Sequence, residues 1–140
     1  MRYHLFVSHG GFAAGIAEAL GMLVGQREDV LHVSFKDGMP LPAFQEEVRQ
    51  ATSRITSKDE VIVMADLVNG SPLTTTMAVL AEGPGLGNVR AVGGMNLPMA
   101  VAAIEGEDDP IDEVIEAMKS GAADEIKQFN TDAGDDDDDV

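Results

Sequence analysis

Apolar positions switch repeatedly between two spacings along this chain. A short unbroken run, Tyr3-His4-Leu5-Phe6-Val7, reads as a buried strand. Phe12, Ile16, Ala19, Leu20, Leu23 and Val24 then fall on one face of a helix. Residues 30 to 35, VLHVSF, give a second strand, and KDGMPLP gives a turn. Phe44, Val48, Ala51 and Ile55 recur at helical spacing and predict a helix over 42–55. EVIVMAD, 60 to 66, is the clearest strand. Ser71 and Pro72 read as N-cap and first helical residue of a segment carrying Leu73, Met77, Leu80 and Ala81 on one side. VRAVGG, 89 to 94, predicts a fourth strand. Pro98 opens a helix with Met99, Val101 and Ile104, and Pro110 opens one with Ile111, Val114, Ile115 and Met118. The segment Ile126 to Phe129 alternates only weakly.

Strands alternating with helices predict an α/β fold: a doubly wound, mostly parallel four-stranded sheet flanked by helices. No repeat and no linker divides the chain, so residues 1–130 read as one domain. In such sheets ligands bind beyond the carboxyl ends of the strands, where strand order reverses. The loops to search follow Val7, Phe35, Ala65 and Gly93.

Composition narrows the chemistry. The chain has 140 residues and no cysteine, which excludes disulfides and thiolate metal sites. Its start lacks a signal-peptide pattern, no apolar run reaches membrane-spanning length, and a cytoplasmic protein is expected. The net charge of −16 disfavours nucleic acid and anionic membranes. The low-complexity run DAGDDDDDV supplies part of that charge, and 131–140 reads as a disordered acidic tail. The body is acidic without it, so a docking partner should be basic.

The strand-end loops hold Ser8, His9, Gly10 and Gly11; then Asp66, Asn69, Gly70 and Ser71; then Asn96. Strands one and three are neighbours in the common doubly wound order, which brings His9 within reach of Asp66. A carboxylate beside an imidazole fixes its tautomer and leaves the other ring nitrogen as a nucleophile. Gly10 and Gly11 offer bare N–H groups at a helix start, and Gly70 and Ser71 offer a second set, both suited to a phosphate. This combination predicts a histidine that accepts and passes on a phosphoryl group. His4 and His32, inside strand patterns, read as structural residues, and the scattered methionines as core. No metal site and no cofactor are expected. Gly83, Gly85 and Gly87 do not directly follow a strand and no Gly-Lys-Ser/Thr accompanies them, so a nucleotide loop is not read there.

FVSHGGFAAGIAEALGMLVG, VIVMADLVNGSPLTTTMAVL and VGGMNLPMAVAAI resemble, in order, the hallmark segments of mannose-type enzyme IIA of the bacterial sugar phosphotransferase system (PTS). The resemblance covers about residues 2–130. It implies that His9 is phosphorylated by HPr and hands the group to enzyme IIB, with Asp66 orienting the ring. It implies a homodimer, an indirect link to the membrane subunits IIC and IID, and an extra antiparallel C-terminal strand at Ile126 to Phe129. Asn69 and the threonines after Pro72 depart from the family pattern, which bears on sugar and IIB partner. Two readings compete. One is the phosphoryl-donor subunit of dihydroxyacetone kinase, which resembles this chain but lacks the Gly-Ser-Pro pattern. The other is a regulatory binding module of the same fold. A histidine phosphatase is disfavoured because Ser8, not arginine, precedes His9.

Overall fold

The computed structural model describes residues 1–132; the aspartate run at 135–139 lies outside them. Four strands form one sheet: β1 (Arg2–His9), β2 (Val30–Phe35), β3 (Glu60–Ala65) and β4 (Val89–Val92). Their order is β2-β1-β3-β4, and every pairing is parallel. Five helices connect and follow them: α1 (Phe12–Val24), α2 (Leu41–Ala51), α3 (Ser71–Glu82), α4 (Leu97–Glu105) and α5 (Ile111–Asp124).

Alternation along β1 explains how one strand serves two layers. Tyr3, Leu5 and Val7 face one side and pack with Phe44 and Val48 of α2 and Leu73 and Leu80 of α3. Phe6 faces the other, with Ile16 and Leu20 of α1, Met99 and Ala103 of α4, and Val114 and Met118 of α5. The sheet is thus covered on both faces, which is why its central strands carry unbroken apolar runs. From β1 the chain steps outward to β2, then returns past β1 to β3. The reversal point is the crevice between the carboxyl ends of β1 and β3.

Several boundaries differ from the sequence expectation, each for a local reason. Strand β1 extends to His9, because its pairing with β2 continues as far as His9 opposite Phe35. Helix α2 ends at Ala51, where the Thr52 hydroxyl and N–H both bond the Val48 carbonyl and a turn follows. Ile55 is buried, but from that turn rather than from the helix. Strand β4 stops at Val92, and Gly94 takes a positive φ of 69°. The expected C-terminal strand is absent from the described chain. Past α5, residues 126–129 pair with no strand, and Ile126 and Phe129 are 77% and 84% exposed.

Candidate functional site

His9 closes β1 and Asp66 follows β3, the strand paired beside it. The two meet directly. Asp66 Oδ2 accepts the backbone N–H of His9 at 2.9 Å and lies 2.8 Å from the ring Nδ1. Its other oxygen accepts the N–H of Leu67 at 2.8 Å. Burial works to raise the Asp66 carboxyl, but the bonds from the His9 N–H, the His9 ring and the Leu67 N–H outweigh it and hold the group below its usual value. An ionised carboxylate only accepts, so Nδ1 donates and the neutral ring keeps its lone pair on Nε2. The His9 side chain is 48% exposed, against 12% for Asp66. The arrangement is a fixed imidazole with one nitrogen tied down and the other turned outward.

The walls of the site come from three loops. Phe35, at the end of β2, lies 6.4 Å from the His9 ring, centroid to centroid, and itself packs on Phe44. Gly70, the residue before α3, lies close against the imidazole edge: a Cβ there would lie 2.9 Å from His9 Cε1. The loop after β4 clamps the end of β3, through Gly94 N–H to the Asp66 carbonyl at 3.1 Å and Met95 N–H to the Ala65 carbonyl at 3.0 Å.

The expected phosphate donors separate into two kinds. The N–H of Gly10 is already engaged, donating to the Phe35 carbonyl at 2.8 Å, so it is not free for a phosphate. What Gly10 contributes is its φ of 57°, which turns the chain from β1 toward α1. The N–H groups of Gly11, Gly70 and Ser71 make no hydrogen bond among the described residues, nor does the Ser71 hydroxyl. Ser71 is the first residue of α3 rather than its N-cap; Gly70 takes that place with no side-chain cap. Both helix starts follow the carboxyl ends of β1 and β3, where the partial positive charge of a helix N-terminus favours an anion.

Three residues had no role assigned from the sequence. Ser8 is fully buried, and its hydroxyl accepts the Ala13 N–H at 2.6 Å, capping α1 from five residues upstream. Phe35 backs the imidazole. Gly93 lets the Asp66 loop lie against β4, since a Cβ there would sit 2.7 Å from the backbone nitrogen of Val68. The Gly93-Gly94 doublet marks a turn in the sequence, but not the segment that comes to lie against it. Asn96 caps α4 instead of joining the site: its Oδ1 accepts the Met99 N–H at 2.9 Å and its amide donates to the Ala122 carbonyl. Among the described residues no cluster of three or more His, Asp or Glu could hold a metal, and no helix is long and apolar enough to cross a membrane.

Fold and site together define an α/β protein organised around one oriented, solvent-facing imidazole at a sheet switch point. The family described as PTS system fructose IIA component matches residues 4–119, and the chain belongs to it, among the EIIA components of the sugar phosphotransferase system. Over 96 residues it is 27% identical to the PTS system fructose-specific EIIA component of Bacillus subtilis (strain 168), covering 69% of this chain and 64% of that protein. The match thus spans just under two thirds of that relative. The fold is similar to that of the phosphotransferase system component EIIA of Streptococcus agalactiae, at 23% identity and a TM-score of 0.78 over 92% of this chain and 98% of the other. It is also similar to the PTS IIA protein associated with the fucose utilization operon of Streptococcus pneumoniae, at 26% identity and 0.74 over 94% and 93%.

Proposed function

We propose that this chain is a phosphohistidine carrier that takes a phosphoryl group from phospho-HPr onto Nε2 of His9 and passes it to an enzyme IIB. The observation that carries the reading is the 2.8 Å contact of Nδ1 with Asp66, which leaves Nε2 as the outward lone pair. In the first step the P–N bond of the donor breaks as a P–N bond forms at Nε2, and no proton leaves the ring. The phosphorylated imidazole keeps its Nδ1 proton and gains positive charge, which the Asp66 carboxylate faces. The phosphoryl oxygens are received by the N–H groups of Gly11, Gly70 and Ser71 and by the Ser71 hydroxyl. Attack by the nucleophile of IIB returns the electron pair to Nε2.

The same reading gives the chain a cytoplasmic place, supplying a membrane-bound sugar transporter through IIB. It includes a homodimer in which the 126–129 segment pairs as a strand. Light scattering that returned the mass of one chain at micromolar concentration would remove the dimer from the proposal.

Incubation with phosphoenolpyruvate, enzyme I and HPr should add one acid-labile phosphoryl group per chain. His9→Ala should take none, and its full labelling would overturn the reading. Asp66→Asn should fold normally and transfer roughly a hundredfold more slowly, because an amide does not hold the ring proton as a carboxylate does.

A further inference from the structure

Gly70 has φ −92° and ψ 163°, an extended conformation open to any L-residue. Its backbone therefore makes no demand for glycine, in contrast to Gly10 with its positive φ. The demand comes from the neighbour. A Cβ at position 70 would lie 2.9 Å from Cε1 and 3.6 Å from Nε2 of His9. Carbon atoms in contact normally sit at about 3.5–4.0 Å, so one of the two groups would have to move.

The α3 side is poorly placed to give way. The same Cβ would be backed by the Pro72 ring at 3.5 Å, Pro72 is buried, and the Gly70 carbonyl is tied to the Thr74 N–H at 3.1 Å. The imidazole would have to swing instead, and a swing that clears the new Cβ disturbs the 2.8 Å contact of Nδ1 with Asp66.

We infer that Gly70 is a positioning residue for His9: its bare Cα is the surface on which the imidazole rests. Asp66 holds Nδ1, Gly70 holds the Cε1 edge, and the Phe35 ring lies 6.4 Å from the imidazole, centroid to centroid. The missing side chain also leaves the path to Nε2 open. This inference rests on the phosphocarrier reading for its kinetic consequence alone; its structural content stands apart from it.

A thermodynamic cycle separates the two. Gly70→Ala should lower the thermal midpoint of the wild-type protein, and should leave unchanged or raise that of the His9→Ala variant, where no ring is present. Ring 15N spectra of Gly70→Ala should show His9 losing its fixed Nδ1–H tautomer. With phospho-HPr, the saturating rate should fall tenfold or more while KM stays within about twofold, because the substitution acts on the direction of the imidazole. Equal midpoint shifts in both backgrounds, or an unaltered His9 spectrum, would overturn the inference. Should Gly70→Ala not fold, a folded His9→Ala/Gly70→Ala double variant supports the inference and an unfolded one refutes it. If wild-type His9 takes no phosphoryl group while the cycle still shows coupling, the carrier reading fails and the positioning role of Gly70 stands.

Discussion

Asp66 accepts three N–H bonds through two oxygens, and two of them come from His9 itself. Backbone and ring of one residue are thus fastened to one carboxylate, so the direction of the imidazole is set with little torsional freedom. His4, five residues earlier on the opposite face of β1, meets the reverse treatment. It is fully buried, neither ring nitrogen has a hydrogen-bond partner among the described residues, and Asp29 stays 3.8 Å from Nδ1. Burial, partly offset by Asp29, pushes its pKa from 6.5 down to about 4. The unfolded chain therefore binds a proton there before the folded one does. The His4 contribution is fully in place above pH 6.5 and is lost as the pH falls toward about 4, at a cost of about 3 kcal/mol. Urea unfolding at pH 7 and pH 4 should show this loss, and His4→Leu should remove that part of the pH dependence. Parallel pH profiles for the two proteins would contradict it.

Among the elements, the loop after β3 is held by a contact between two backbones. A Cβ at Gly93 would meet Val68 at its backbone nitrogen, Cα and Cβ, all under 3.0 Å, so no rotamer change relieves it. Gly93→Ala should cost about 1–3 kcal/mol and speed hydrogen exchange at the Leu67 N–H that bonds Asp66. Gly15, exposed inside α1 with nothing near its would-be Cβ, gives the contrast: Gly15→Ala should stabilise by about 0.5–1 kcal/mol. Urea midpoints of equal sign for the two variants would sink this account. The order of the nine elements could be read from periodicity, because each strand and helix buries a face and burial leaves a pattern. The pairing of His9 with Asp66 was readable too, since strand order alone brings those strand ends together. The buried Ser8 cap, the spent N–H of Gly10 and the backbone contact of Gly93 were not. Each depends on where a distant segment comes to rest, and side-chain pattern does not record backbone hydrogen bonds. Within the single chain the weak alternation at Ile126 to Phe129 makes no strand, since a strand exists only where an edge pairs with it.

Across the whole molecule charge is unevenly spent. The chain carries −16, and of its nine cationic side chains only Lys36 belongs to the loops that directly follow the strands. Arg2, Arg27, Arg49, Arg90 and Lys119 are paired with carboxylates elsewhere. A phosphoryl group on His9 would set close to two negative charges on its oxygens against one positive charge gained by the ring, with neutral N–H dipoles as the main compensation from the surrounding loops. The missing cations should arrive with the docking partner. Transfer from phospho-HPr should therefore slow roughly tenfold between low and high salt, as stopped mixing at several ionic strengths would record. A rate indifferent to salt would rule this out. The pairing of β1 with β3 has a further consequence, in time rather than in space. His9 and Asp66 are 57 residues apart in sequence, with α1, β2 and α2 made between them. At synthesis rates of about 5–20 residues per second, His9 leaves the ribosome roughly 3 to 11 seconds before Asp66. Throughout that interval the growing chain displays an imidazole with no oriented lone pair. The oriented imidazole thus comes into being when β3 docks beside β1.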